Sequence, residues 1–246
     1  MKERVTGKSR ILTETEAKQE EFNIEQDLRK IRGCPVCNHI TNILADFFAH
    51  LQYELSNDES TRHNYAEDLG LCPFHAWQLE SFSSPLGIAR SYPTVLEHVA
   101  SILVTRAETS SRSPEKALKV VRDSATCSAC HLLEKIENNY IKHLGLFLTD
   151  IDGRQAYACS HGTCLKHLEQ LINAVSAPVT VRFLLLDEAE RLKRISADLR
   201  NYAYKRDALK RDLLTNDEQD AYRRALIKIA GGRNACAHGD SGGSLG

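Results

Sequence analysis

Of the eight cysteines in this 246-residue chain, six fall into a pattern with two histidines. Cys34-Pro35-Val36-Cys37 is followed by Cys72-Pro73-Phe74-His75, and Cys127-Ser128-Ala129-Cys130 by Cys164-Leu165-Lys166-His167. The two runs read C-x2-C-x34-C-x2-H and C-x2-C-x33-C-x2-H. Three thiolates and one imidazole are a known structural zinc set when they converge at about 2.0–2.3 Å. A Cys-x-x-Cys supplies two donors from one turn, and a Cys-x-x-His at i, i+3 on a helix supplies two more from one face. The pattern predicts two Cys3His sites, one of Cys34, Cys37, Cys72 and His75, the other of Cys127, Cys130, Cys164 and His167. Each is expected to close its own repeat and to hold Zn2+, with an iron–sulfur cluster as the alternative. A four-ligand site leaves no open position for substrate, which argues against metal catalysis, and no catalytic residue is assigned.

The elements that must position these donors repeat as well. Shifting the first run by 93 residues, then by 92, superimposes Ile43 on Ile136, Phe47 on Tyr140, His50 on His143, Leu51 on Leu144 and Leu55 on Leu148. Gly70 and Leu79 fall on Gly162 and Leu171. This is a tandem duplication. Ile40, Ile43, Leu44, Phe47, Phe48, Leu51 and Leu55 recur at helical spacing, as do Leu133, Ile136, Tyr140, Ile141, Leu144 and Leu148. Each cysteine pair directly precedes such a stripe, so its thiols sit at a helix N-terminus, where free N–H groups favour thiolate. Gly70 and Gly162 let the backbone turn tightly into the third ligand.

Val95, Leu96, Val99, Ile102 and Leu103 mark another helix, and Leu165, Leu168, Leu171, Ile172 and Val175 another. A long one starts near Pro178 and carries Leu184, Leu192, Ile195, Leu199 and Tyr202; across 179–186 a strand competes, but length and flanks favour helix. Thr215 with Glu218 forms a capping box for a final helix with Tyr222, Leu226 and Ile229 on its apolar face. Ile24, Leu28 and Ile31 suggest a leading helix closed by Gly33. Polar stretches at 56–68, 109–113 and 149–163 read as linkers, and the tail from Gly231 as disordered. The expected fold is all-α: a duplicated helical repeat, each copy closed by a metal site, plus a C-terminal helix. Its parts are an N-terminal extension and helix (1–33), repeat 1 (34–111), repeat 2 (112–212), and a C-terminal helix with flexible tail (213–246).

Lysine plus arginine total 32 against 33 acidic residues, so no global charge attracts nucleic acid or an anionic membrane. No apolar run suits a membrane span, and the first residues lack the apolar core of a secretory signal. A cytoplasmic location is expected, where clustered thiols bind metal rather than pair as disulfides. Cys127 to His131 also spells a haem-attachment motif, but His131 aligns with Asn38 and no export signal accompanies it. A dithiol oxidoreductase would need a βαβ pattern, which is not visible. Cys159, His161, Cys236 and His238 lie outside the tetrads and read as bystanders. His50 and His143 follow the second cysteine of each pair by 13 residues, roughly 220° around a helix from it, and suit packing rather than coordination. A basic stripe over 191–211 (Arg191, Lys193, Arg194, Arg200, Lys205, Arg206, Lys210, Arg211) offers a weaker nucleic-acid reading against the usual solvated face.

CPVC, GLCPFH, CSAC, HGTCLKH, the long helix ending NYAYKRD and the closing helix through IAGG together resemble an uncharacterised prokaryotic family of unknown function with twin Cys-x-x-Cys and Gly-x-Cys-x-x-His elements. The likeness covers about residues 30 to 232. The second pair lacks the proline that Pro35 supplies, and Thr163 stands where the first repeat has Leu71; neither touches a candidate ligand. The resemblance supports the helical fold and the metal residues and implies no activity. These readings converge on a metal-binding scaffold or adaptor with an unidentified protein partner.

Overall fold

The computed structural model describes residues 23–109, 121–122, 124–205 and 211–232. Among them are eleven α-helices and no strand. A leading helix, α1 (Ile24–Lys30), is capped by Asn23, whose side chain accepts from the Gln26 N–H. Then the same order occurs twice: a long helix, a short one, a ten-residue helix opened by Cys-x-x-His, and a second long one. In the first copy these are α2 (Pro35–Asn57), α3 (Glu59–Glu67), α4 (Pro73–Phe82) and α5 (Pro85–Thr109). In the second they are α6 (Ser128–Phe147), α7 (Ile151–Ala158), α8 (Leu165–Ala174) and α9 (Pro178–Tyr204). Two helices close the chain, α10 (Asn216–Gln219) and α11 (Ala221–Ala230).

The apolar stripes of α2 and α6 supply much of the buried apolar surface. Ile40, Leu44, Phe47, Phe48, Leu51 and Leu55 are buried on one, and Leu133, Ile136, Tyr140, Ile141, Leu144 and Leu148 on the other. Two compact units contain them, one within Asn42–Lys135, the other within Glu21–Thr41 and Ile136–Cys236. The division therefore falls inside α2 and inside α6.

Three expectations need correction. The polar stretches 56–68 and 149–163 are largely helix, α3 and α7. Asp58 nucleates α3 by accepting from the N–H groups of Ser60 and Thr61, and Tyr65 and Ala66 give it a small buried face. The Thr215–Glu218 capping box is present but opens only α10; the chain turns at Asp220 before α11. The third concerns α11 itself, which faces the opposite way from its periodicity. Tyr222, Leu226 and Ile229 are exposed, while Arg224 and Lys228 are buried. Ion pairs explain this: Arg224 bonds Asp198 of α9 and the local Asp220, and Lys228 bonds Glu188 of α9. Of the expected linker 109–113 only Thr109, the end of α5, is described, and of the expected tail only Gly231 and Gly232; residues 110–120 and 233–246 lie outside the described residues.

Candidate metal centres

All four ligand pairs are built the same way, as the first turn of a helix. The first cysteine of each pair stands just before the helix, and its carbonyl accepts the first helical bond. Asn38 bonds Cys34, Ala76 bonds Cys72, His131 bonds Cys127 and Leu168 bonds Cys164, at 2.8–3.1 Å. The second donor, Cys37, His75, Cys130 or His167, points the same way one turn on. Gly70 and Gly162 lead into the Cys-x-x-His turns at φ +72° and +66°, a left-handed conformation that suits glycine.

The eight donors gather into two clusters, but the halves are exchanged between repeats. Centre I is Cys34, Cys37, Cys164 and His167; centre II is Cys72, His75, Cys127 and Cys130. In each cluster the ligand atoms lie within 4.8 Å of one another. The expected tetrads, each confined to one repeat, do not form. Helix length is the reason. The 23 residues of α2 carry the chain about 34 Å from Cys34, and the nine of α3 return it by only about 13 Å. The second repeat has the same imbalance, with 20 residues in α6 and eight in α7. Each Cys-x-x-His thus stops short of its own Cys-x-x-Cys and meets the other repeat's pair. His75 packs against Phe48 of α2, ring centroids 6.2 Å apart, eleven residues beyond Cys37.

In centre I, His167 Nδ1 lies 3.3 Å from Cys34 Sγ, 3.3 Å from Cys37 Sγ and 3.1 Å from Cys164 Sγ. Cys37 and Cys164 sulfurs are 3.8 Å apart. All four residues are buried. The Gly232 N–H donates to Cys37 Sγ at 3.1 Å. Behind the imidazole, Nε2 donates to Glu137 at 2.7 Å, and Lys166 pairs with the same carboxylate at 2.6 Å. Burial works against charge on His167, but Cys164, Cys34 and Glu137 outweigh it and push the metal-free group up to about 11. The bonds from Cys34 and Cys37 hold the Cys164 thiol well below its usual range.

In centre II, His75 Nδ1 lies 3.3 Å from Cys72 Sγ, 3.6 Å from Cys127 Sγ and 3.3 Å from Cys130 Sγ, with Cys72 and Cys130 sulfurs 3.8 Å apart. Burial opposes the Cys127 thiolate, yet the His75 imidazole and the N–H groups of Cys72 and Cys130 bring it down to about 6. Cys130 is half-buried, and the buried His75 Nε2 has no hydrogen-bond partner among the described residues.

Two thiolates about 2.3 Å from one ion at the tetrahedral angle stand about 3.8 Å apart, and a thiolate and an imidazole nitrogen about 3.6 Å. The observed spacings sit at or just inside these values. Each centre also collects two helix N-termini, α2 with α8 and α6 with α4, whose dipoles contribute about half a positive charge apiece. They would offset the single negative charge that three thiolates leave on a divalent ion held there.

Sequence reasoning missed the residues around centre I. Lys228 Nζ donates to the Thr163 carbonyl at 2.8 Å and to Glu188 at 2.7 Å, tying α11 to the ligand turn. Arg191 donates to the Tyr157, Ala158 and Ser160 carbonyls and pairs with Asp187 at 2.7 Å. The Tyr157 hydroxyl bonds the Thr163 hydroxyl at 3.1 Å. An acid in a helical stretch and a base in another carry no local sign that they meet 40 residues apart.

Other candidates fall elsewhere. Cys159 is exposed, His161 half-buried, and neither joins a cluster; Cys236 and His238 lie outside the described residues. His50 and His143 are exposed. Of the basic stripe, Arg191 is buried, Lys193 pairs with Glu190, and Lys205 pairs with Glu218, while residues 206–210 lie outside the described ones. Among the described residues no helix is long and apolar enough to cross a membrane.

Fold and donor clusters define an all-helical protein with two buried Cys/His centres able to hold metal ions. The chain belongs to the Family of unknown function (DUF6062), whose profile matches residues 85–235. That segment holds one half of each centre, Cys127 with Cys130 and Cys164 with His167. The chain is also 26% identical over 205 residues to an "Uncharacterized 23.9 kDa protein in xynA 3'region" of Caldicellulosiruptor sp. (strain Rt8B.4), covering 80% of this chain and 95% of that protein. No solved structure matches.

Proposed function

We propose that the chain is a helical scaffold or adaptor that binds two zinc ions, one per centre, as structural staples. The observation that carries this is the donor spacing, 3.8 Å between sulfurs and 3.1–3.6 Å from sulfur to imidazole nitrogen, which suits one ion shared by four ligands. Ligands to an iron–sulfur cluster reach separate irons and stand further apart than donors that share one ion. Burial of both donor sets and the absence of an open coordination position favour holding helices over transforming a substrate. Metal also closes a long chain loop at each centre, so binding contributes to folding. A reducing cytoplasm suits thiols that must stay unpaired.

Elemental analysis of protein purified without oxygen tests the reading. It requires a colourless protein with two equivalents of zinc, and cobalt substitution should give the intense visible bands of tetrahedral sulfur ligation. A brown protein with iron and acid-labile sulfide would replace zinc staples with redox clusters.

A further inference from the structure

The eight donors are not equally sheltered. At centre I no ligand is more than 3% exposed. At centre II Cys72, His75 and Cys127 are also buried, and Cys130 alone among the eight is only half-buried. Its sulfur has a second sulfur in reach, since Cys72 Sγ, just before α4, stands 3.8 Å away. The corresponding pair at centre I, Cys37 and Cys164, has the same spacing but lies buried, and the Gly232 N–H donates to Cys37 Sγ. A hydrogen bond that stabilises a thiolate also makes it a poorer nucleophile. Oxidation of cysteine follows thiolate character and access, and a neighbouring thiol completes it.

We propose that Cys130 is a peroxide-reactive site, with Cys72 as its resolving thiol, and that its oxidation opens centre II while centre I stays closed. The inference rests on zinc being held at both centres, where metal keeps the ligand sulfurs as thiolates. The Cys130 sulfur attacks one oxygen of a hydroperoxide such as hydrogen peroxide. The O–O bond breaks, hydroxide leaves, and sulfur, oxidised by two electrons, becomes the sulfenic acid. The Cys72 thiolate then attacks Cys130 Sγ, forms the S–S bond and expels a second hydroxide. Two thiolates and one peroxide thus give one disulfide and two hydroxides. Centre II is left with His75 and Cys127, too few donors for a four-coordinate structural site, and its zinc leaves. A dithiol reductant restores both thiolates by exchange, and zinc can rebind.

The zinc-loaded full chain treated with hydrogen peroxide tests this. Zinc release is followed with a chromophoric chelator, against the same chelator without peroxide, and cysteines are mapped by alkylation and mass spectrometry. One zinc equivalent should leave at least about tenfold faster than the other, because access differs at one ligand. The first disulfide should join Cys72 to Cys130, and dimedone present during oxidation should label Cys130 before any other ligand. Cys159, exposed and in no cluster among the described residues, is the competing thiol, and Cys159→Ser should release zinc as wild type does. Both equivalents leaving together, a first disulfide other than Cys72 with Cys130, or a Cys159→Ser chain that keeps its zinc overturns the proposal. The disulfide map needs no metal. A chain purified without zinc would end the zinc reading by itself, while the first disulfide formed would still decide the reactivity of Cys130.

Discussion

Centres I and II use the same donors on the same framework of helix N-termini, yet the residues around them differ. Glu137, which holds the His167 imidazole, corresponds in the first repeat to buried Leu44. Lys166 corresponds to Phe74, and Thr163, whose carbonyl and hydroxyl are both bonded, to buried Leu71. Tyr157 gives its hydroxyl to Thr163; its counterpart Tyr65, on α3, meets Leu71, which has no hydroxyl to return. Centre I thus has a polar, hydrogen-bonded shell, and centre II an apolar one in which the ring of Phe74 lies 5.2 Å from that of His75. A carboxylate behind a ligating histidine fixes its tautomer and raises its basicity. A buried N–H left unbonded, as at His75 Nε2, costs about 1–3 kcal/mol. The same donor set thus stands in two different shells, which should give the two centres different metal affinities.

The comparison holds only if the halves are exchanged between repeats, and double variants can break it most decisively. Cys37→Ser with His167→Ala removes two ligands from centre I alone and should leave one equivalent of zinc. Cys37→Ser with His75→Ala strikes both centres and should leave none. Ligands paired within each repeat would reverse these outcomes, so metal content of the two variants decides between the arrangements.

A smaller effect isolates the shell. Glu137→Leu installs at centre I the residue that the first repeat carries. Loss of a carboxylate behind a ligating histidine typically weakens metal binding 10–100-fold, or about 1.4–2.7 kcal/mol. In a chelator competition, wild type should release zinc in two phases, centre II first. Glu137→Leu should pull the later phase toward the earlier one and leave the earlier in place. Two phases that stay where they were would show that the polar shell does not set the difference.

How far the sequence reveals this depends on the range of each interaction. The donors, the helix N-termini and the stripes of α2 and α6 are local patterns, and Cys34, Leu44 or Leu144 can be read from neighbours within two turns. The partition of ligands is not local. Because the repeats are chemically alike, Cys-x-x-Cys of either could match Cys-x-x-His of either. One signal was present: an apolar stripe from Ile40 to Leu55 implies a helix longer than the polar segment after it can retrace. That segment itself reads as a linker, since α3 has little apolar face and rests on Asp58 as its cap. The orientation of α11 was hidden for a different reason. Periodicity reports which residues share a side, but Arg224 finds Asp198 and Lys228 finds Glu188 only after folding, and these pairs turned the basic side inward.

The finest comparison concerns the two turns that deliver Cys-x-x-His. Gly70 and Gly162 share a left-handed conformation, so alanine at either should cost about 1–2 kcal/mol from backbone strain alone. What the added methyl meets differs. At Gly70 it would stand 3.3 Å from the Tyr65 ring. At Gly162 it would stand 3.0 Å from Arg191 Nε, on a side chain pinned by Asp187 and three backbone carbonyls and unable to swing aside without losing them. Gly162→Ala should therefore lower the melting temperature more than Gly70→Ala, while each variant keeps both zinc ions. Equal losses would mean that Arg191 yields freely, and that the polar shell of centre I is less rigid than its bonding implies.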